Sequence, residues 1–247
     1  LQNKLHFSRF EFKYILPDNL RKEVESELRF FLQLDPYVEQ KPGKKYIVRS
    51  LYFDDPVFSC FSEKEDGMQH RYKFRHRTYT DDPLEECPSF LEIKGRHDAL
   101  VFKHRIEVES QRVNGRILTD RCETQAILSG AKESDVLNKF RFDLMRKELG
   151  PVMLIDYRRR PYISKYDPEF RLTFDEKLYG TRTKQLFPNE WENKKALLLD
   201  RTVMEVKFRR QIPSWFHRII QYFGLRRVSI SKVNYGIKAF GLTPYFD

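Results

Sequence analysis

The sequence predicts an α+β protein built on an antiparallel sheet, either open or closed into a barrel of about eight strands, with amphipathic helices covering its apolar side. Three observations predict it. The segment RFEFKY, residues 9–14, puts Phe10, Phe12 and Tyr14 on one side of a strand and Arg9, Glu11 and Lys13 on the other. Later segments repeat this division between an apolar and an ionic face from end to end. Between them lie stretches whose apolar residues recur at helical spacing, and no internal repeat, low-complexity tract or linker divides the chain.

After the first strand, Pro17 and Asp18 precede Leu20, Val24, Leu28 and Phe31, a helical spacing with Asp18 placed as its cap. A strand follows over 48–53 and is stopped by Asp54, Asp55 and Pro56. Strands over 71–79 and 90–94 flank an acidic, proline-containing loop, and residues 95–98 read as a hairpin turn into a strand over 101–109. The middle turns helical over 120–128 and 134–149, where Val136, Leu137, Phe140, Leu144 and Leu149 share a face, and Gly150 with Pro151 ends the second of these. Strands resume over 152–160, 170–175 and 203–210, with a polar loop over 180–193. Short helices are expected over 213–223 and 231–240.

Composition bounds the function. The 247 residues include 21 Phe and 13 Tyr, which is enough for an ordered core, and the formal net charge of +10 points to an anionic partner. Nucleic acid, anionic lipid and a small polyphosphorylated substrate all satisfy that charge. Cys60, Cys87 and Cys122 are an odd number at wide spacing, which argues against a disulfide framework or a zinc site and fits a reducing, cytoplasmic setting. No apolar run approaches the roughly 18 residues of a membrane helix. The chain begins at Leu1 without Met, so a targeting segment ahead of it stays open.

The ionic faces carry the chemistry. One strand aligns Arg71, Lys73, Arg75 and Arg77; others align Glu92 with Lys94, then Lys103, Arg105, Glu107 and Glu109, then Glu205, Lys207 and Arg209. Like charges in a row repel unless an anion lies among them. Carboxylates among phosphate contacts weaken a nucleic-acid surface, but they make sense where a divalent cation bridges them to phosphate oxygens, and hard oxygen ligands favour magnesium or manganese over zinc. The chain has no P-loop, no dinucleotide-binding glycine motif and no kinase motif set, so side chains must hold any phosphate. Over 154–159 both parities are polar, Asp156 with Arg158 or Tyr157 with Arg159, and periodicity does not choose between them. His70, His76 and His104 lack metal-ligand spacing and read as structural or rim residues.

The ordered set RFEFKYILPDN, KFRHRTY, FLEIK, the Lys103 and Arg105 pair, VMEVKF and ISKVNYG resembles the VTC domain, the polyphosphate polymerase branch of the triphosphate tunnel metalloenzymes, related to the CYTH proteins. The likeness runs from Arg9 to about Gly241 and treats residues 1–247 as one domain. It implies a closed antiparallel barrel with a basic tunnel and helices packed outside. It further implies Lys13, Arg75, Arg77, Lys94 and Lys207 as the catalytic cations, and Arg9, Lys73, Lys103, Arg105, Tyr157, Arg159 and Lys232 as contacts to phosphates or nucleotide. Glu205, Glu11 and Glu107 become the metal-side carboxylates. One departure matters: related hydrolases open with ExExK, and here Arg9 stands at the first Glu position.

The activity so implied is metal-dependent transfer of the terminal phosphoryl group of ATP to a growing inorganic polyphosphate chain, with manganese or magnesium as cofactor. Positioning and charge stabilisation supply most of such catalysis, and an anionic acceptor needs no general base. The alternatives are a triphosphatase acting on inorganic or nucleoside triphosphate in the same tunnel, and a binding module that grips polyphosphate without turnover. ATP or another triphosphate and polyphosphate are the expected partners, a membrane-protein partner is left open, and nucleic acid is not expected.

Overall fold

The computed structural model describes residues 10–97, 100–108, 112–113, 116–117, 128, 130–188 and 194–243. The helix expected over 120–128 lies outside these residues except for its last position, and Arg9 and Glu109 lie outside them altogether. The chain divides into two compact units, one of Leu1–Tyr46, Tyr157–Leu178 and Leu198–Ile230, the other of Ile47–Asp156, Tyr179–Leu197 and Ser231–Asp247.

The first unit contains β1 (Phe10–Pro17), α1 (Asp18–Leu28), β2 (Leu32–Leu34), the second half of β9 (Gly150–Ser164), most of β10 (Arg171–Thr181), β12 (Arg201–Phe208) and α4 (Ser214–Tyr222). β12 lies between β1 and β10 and pairs antiparallel with both. The alternation read from RFEFKY holds: Tyr14 is buried, and Phe10 and Phe12 pack on a core of Leu172, Phe174, Met204, Val206 and Phe208. α1 contributes Val24 and Leu28 to that core. From α4 come Phe216 and Ile219, with Trp215, Ile220 and Phe223 packed against them, so its apolar face serves the core. Asp18 is not the cap of α1. Pro17 occupies that position without a side-chain bond, and the Asp18 carboxylate instead accepts from Thr202 Oγ1 at 3.3 Å.

The second unit holds most of β3 (Tyr46–Asp54), α2 (Ser59–Glu65), β4 (His70–Thr78), β5 (Ser89–His97), β6 (Leu100–Val108), the two-strand pair β7 (Arg112–Val113) and β8 (Arg116–Ile117), α3 (Asp135–Lys147), the first half of β9, β11 (Lys194–Ala196) and α5 (Lys232–Ala239). α3 starts at Ser134, whose hydroxyl accepts from Leu137 N, and it buries Leu137, Phe140 and Leu144 on Phe53, Phe74, Leu91 and Ile93. It ends at Glu148, which takes the left-handed conformation with φ of 52°, while Gly150 already opens β9.

Residues 95–97 of the turn expected over 95–98 are instead strand, and Asp98 lies outside the described residues. Gly95 pairs with Phe102 inside the β5–β6 ladder, and the Phe102 ring lies across it so closely that a Cβ would sit 2.0 Å from Phe102 Cζ. The glycine is there for that ring. Gly95→Ala therefore forces the aromatic side chain off its seat, and the expected loss is about 1–3 kcal/mol of unfolding free energy, read from the urea midpoint. A midpoint equal to that of the parent protein would remove this explanation of Gly95.

The full hydrogen-bonded order is β1-β12-β10-β9-β3-β4-β5-β6, with β2 on β9 and β11 on β10, a ten-stranded sheet. Every pair with a described register is antiparallel. Among the described residues hydrogen bonds do not close this order into a barrel, and the expectation of a closed barrel is reduced to a large antiparallel sheet. The exposed edge of β1 has another occupant: Val228 N donates to Lys13 O at 2.8 Å. Nor do all the helices lie on the apolar side. Lys73, on the ionic face of β4, bonds to Ser231 and Asn234 at the start of α5, so that helix sits over the ionic face of β4. No helix among the described residues is long and apolar enough to cross a membrane.

Candidate functional site

Two ionic clusters are built on the sheet, one in each unit. In the first unit, cross-strand register sets Lys13 opposite Glu205 and Glu11 opposite Lys207. The Lys13 ammonium lies 3.2 Å from Glu11 and 3.7 Å from Glu205, and it donates to Ile230 O at 3.2 Å. Two carboxylates thus converge on one positive charge. Glu205 is also 3.1 Å from Arg159 and 3.5 Å from Lys207.

Arg159 is held from behind by Asp175, which is wholly buried and accepts from Nε at 2.6 Å and from Nη2 at 2.7 Å. Burial alone would lower the Arg159 pKa. The charges of Asp175, Tyr157 and Glu205 outweigh it and hold the guanidinium protonated well above its usual range. The planar fork engages both Asp175 oxygens, which fixes its orientation toward Glu205. The parity that sequence left open is resolved here: Tyr157 and Arg159 are buried together, with Arg159 over the Tyr157 ring at 5.3 Å, while Arg158 is exposed. Asp156 serves a different purpose. It forms a bidentate pair with Arg49 at 3.0 and 3.1 Å, and Phe187 covers the guanidinium.

In the second unit the ionic face is ordered in rows. Arg77, Phe90 and Glu107 are register partners across β4, β5 and β6; so are Arg75, Glu92 and Arg105, and so are Lys73, Lys94 and Lys103. Glu92 is the hub. It is fully buried and meets Arg75 at 2.6 Å, Arg77 at 3.9 Å and Lys103, three cations on one carboxylate. Burial pushes the Glu92 carboxyl up, but Arg75, Arg77 and Lys103 together hold it far below the usual carboxylate range. Tyr52 and Ser50 complete the arrangement from β3, accepting from Arg75 Nη1 at 3.0 Å and Arg77 Nε at 2.9 Å. Burial raises the Tyr52 phenol, and Arg75, Arg77 and Lys232 more than offset this, leaving it below its ordinary pKa.

Among the predicted residues, Lys13, Glu11, Glu205, Lys207 and Arg159 are therefore brought together, as are Arg75, Arg77 and Lys103. Lys73 is directed to Ser231 and Asn234, and Lys232 is buried at the first turn of α5. Arg105 is exposed and lies over the Phe90 ring at 4.6 Å. Glu107 is exposed in the second unit, and no three metal-ligating side chains form a group among the described residues. Of the carboxylates expected to hold a metal, Glu11 and Glu205 are brought together in the first unit. A hard divalent ion suits that pair, since magnesium commonly binds one or two carboxylates and takes its remaining oxygens from water and phosphate. Lys13 now occupies the position such an ion would balance.

Sequence reasoning missed Asp175, Ser50 and Tyr52 and did not give Glu92 its central place. A signal was available in VRSLYFD, where Ser50, Tyr52 and Asp54 share one parity of the strand.

A family model for the VTC domain matches residues 8–240. The chain belongs to the VTC domain family. Among solved structures, this VTC domain is similar to a proposed adenylate cyclase (bh2851) of Bacillus halodurans, at 16% identity and a TM-score of 0.54, over 94% of this chain and 96% of that one. The PH1819 protein of Pyrococcus horikoshii OT3 also aligns, at 13% identity and a TM-score of 0.48, over 94% and 99% of the two chains. No curated protein matches the sequence. At these identities the likeness to solved structures concerns the fold.

Proposed function

We propose that this VTC domain is a metal-dependent polyphosphate polymerase that passes the terminal phosphoryl group of ATP to a growing polyphosphate chain, with residues 1–247 acting as one domain whose sheet forms the basic tunnel of that family. The observation that carries the reading is the convergence of Glu11 and Glu205 on a single cationic position beside Arg159. Plain anion binding gains nothing from two carboxylates there. A bound magnesium or manganese ion would neutralise charge on the transferring phosphoryl oxygens. Arg159, fixed by Asp175, binds and orients an equatorial oxygen, and the cations around Glu92 give the second unit phosphate-binding charge of its own. A phosphate acceptor is already anionic, which agrees with a site that needs no general base.

The test is incubation with ATP and manganese, with and without a short polyphosphate primer, with products resolved by gel and phosphorus NMR. Chains longer than the primer are the expected result. Orthophosphate alone would make the protein a triphosphatase, and tight binding without turnover would make it a binding module.

Lys103 adds a pH signature. Burial, with help from Arg75 and Arg77, outweighs Glu92 and pushes its ammonium down to about 7. A polyanion favours the protonated form, so triphosphate affinity falls as pH rises through 7. Lys103→Arg, which stays charged, flattens that profile. Calorimetric titrations between pH 6 and 9 that gave the same slope for both proteins would exclude Lys103 from the phosphate path.

A further inference from the structure

Cross-strand register places Lys13, Glu205 and Thr173 in one row over β1, β12 and β10, and Glu11, Lys207 and Arg171 in the next. Residues directly opposite one another share a face of the sheet, with Cβ atoms about 4.5–5.5 Å apart, so the Thr173 side chain stands on the ionic face beside Glu205. Asp175, two positions along β10, has the same parity, and Arg159 reaches from Asp175 to Glu205 on that face. Thr173 is the neutral member of this group. It is 7% exposed, and its Oγ1 makes no hydrogen bond to any described residue. The charged groups around it are engaged with one another: Lys13 with Glu11, Glu205 and Ile230 O, and Arg159 with Asp175 and Glu205. Valine would fill the same strand position, whereas a buried hydroxyl costs stability unless something pairs with it.

We propose that Thr173 is a positioning residue for the divalent ion of the Glu11 and Glu205 pair, its hydroxyl bonding a water of the ion's hydration shell. The inference rests on the metal-dependent reading above and adds a residue to it. Two features favour a hydrated cation over a phosphate oxygen as the partner of this hydroxyl. Glu205 is its direct neighbour across the strands, so a phosphate oxygen placed there meets a carboxylate, while a water on the cation donates to the hydroxyl and leaves the carboxylate to the metal. Two carboxylates also leave most positions around a hard ion to water and substrate, and groups one shell out from the metal orient such ligands. Thr173 thus acts on the ion through its water and does not touch it.

The experiment titrates manganese alone, followed by electron paramagnetic resonance, into the parent protein, Thr173→Val and Thr173→Ser. The binding that Glu11→Gln/Glu205→Gln loses defines the site. Thr173→Val is expected to weaken manganese there by about tenfold. Without metal it melts at or above the temperature of the parent, because the unpaired buried hydroxyl is gone. Thr173→Ser keeps the hydroxyl and recovers most of the affinity, and metal-free tripolyphosphate binds the parent and Thr173→Val alike. Unchanged manganese affinity in Thr173→Val would overturn this proposal alone. So would a metal-free melting temperature several degrees below that of the parent, which would give the hydroxyl a partner within the protein, or weakened metal-free tripolyphosphate binding, which would make that partner a phosphate. A parent protein that binds no manganese at the carboxylate pair would remove the metal reading and this proposal together.

Discussion

Glu92→Gln is expected to lower the unfolding free energy by about 3–5 kcal/mol, because it leaves the buried Arg75 and Arg77 around a neutral amide. The carboxylate has no exposure to water, so solvent screens little of the charge that replaces the pair. In the function proposed above Arg75, Arg77 and Lys103 grip phosphate, which gives the variant a second signature. A polyanion that enters the site takes over the neutralising role, and tripolyphosphate at about a hundred times its dissociation constant restores about 2.7 kcal/mol. Urea unfolding with and without tripolyphosphate measures both. A variant within about 0.5 kcal/mol of the parent would mean that these cations are compensated elsewhere.

Glu205→Gln is expected to reduce turnover by about 100- to 1,000-fold at saturating ATP, the size of effect seen when one preorganised electrostatic contact to a transition state is removed. Glu205 touches Lys13, Arg159 and Lys207, so the change also weakens the bond network on β12. Two readouts separate these effects. If the carboxylate serves the metal, the manganese concentration needed for half-maximal turnover rises and the melting temperature moves little. If its purpose is structural, stability falls, and turnover recovers when the assay temperature is lowered. Asp175→Asn gives the complementary result: Arg159 loses its bidentate anchor, so turnover falls while the manganese requirement stays close to that of the parent.

Much of the sheet was legible because each strand obeys a period of two. RFEFKY, KFRHR and VMEVKF each declare their buried and ionic faces, and the structure keeps those faces. What sequence could not supply was register. Whether Lys13 meets Glu205 or slips one pair along depends on a strand nearly the whole chain away, and the convergence of Glu11 and Glu205 exists only in the observed pairing. Glu92 was misjudged for a related reason. FLEIK shows that Glu92 and Lys94 share a face, but the three cations around that carboxylate arrive from β4 and β6. Asp175 was hidden in RLTFD, where a short strand ending in Asp resembles a strand entering a turn.

Glycine and proline were the least reliable local signs. Gly95 looked like a turn residue and proved to be a seat for Phe102. Gly150 looked like a helix stop, yet the backbone reverses at Glu148. The amphipathic pattern over 213–223 was read correctly as a helix, but only packing shows that its apolar side belongs to the core.

The most direct test of the account is whether Glu11 and Glu205 hold a divalent ion against phosphate. Manganese bound in the presence of tripolyphosphate can be followed by electron paramagnetic resonance, with coupling to phosphorus reporting direct contact. The account predicts a phosphorus-coupled manganese signal in the parent protein that is lost in Glu11→Gln/Glu205→Gln. An unchanged signal in that double variant would contradict it.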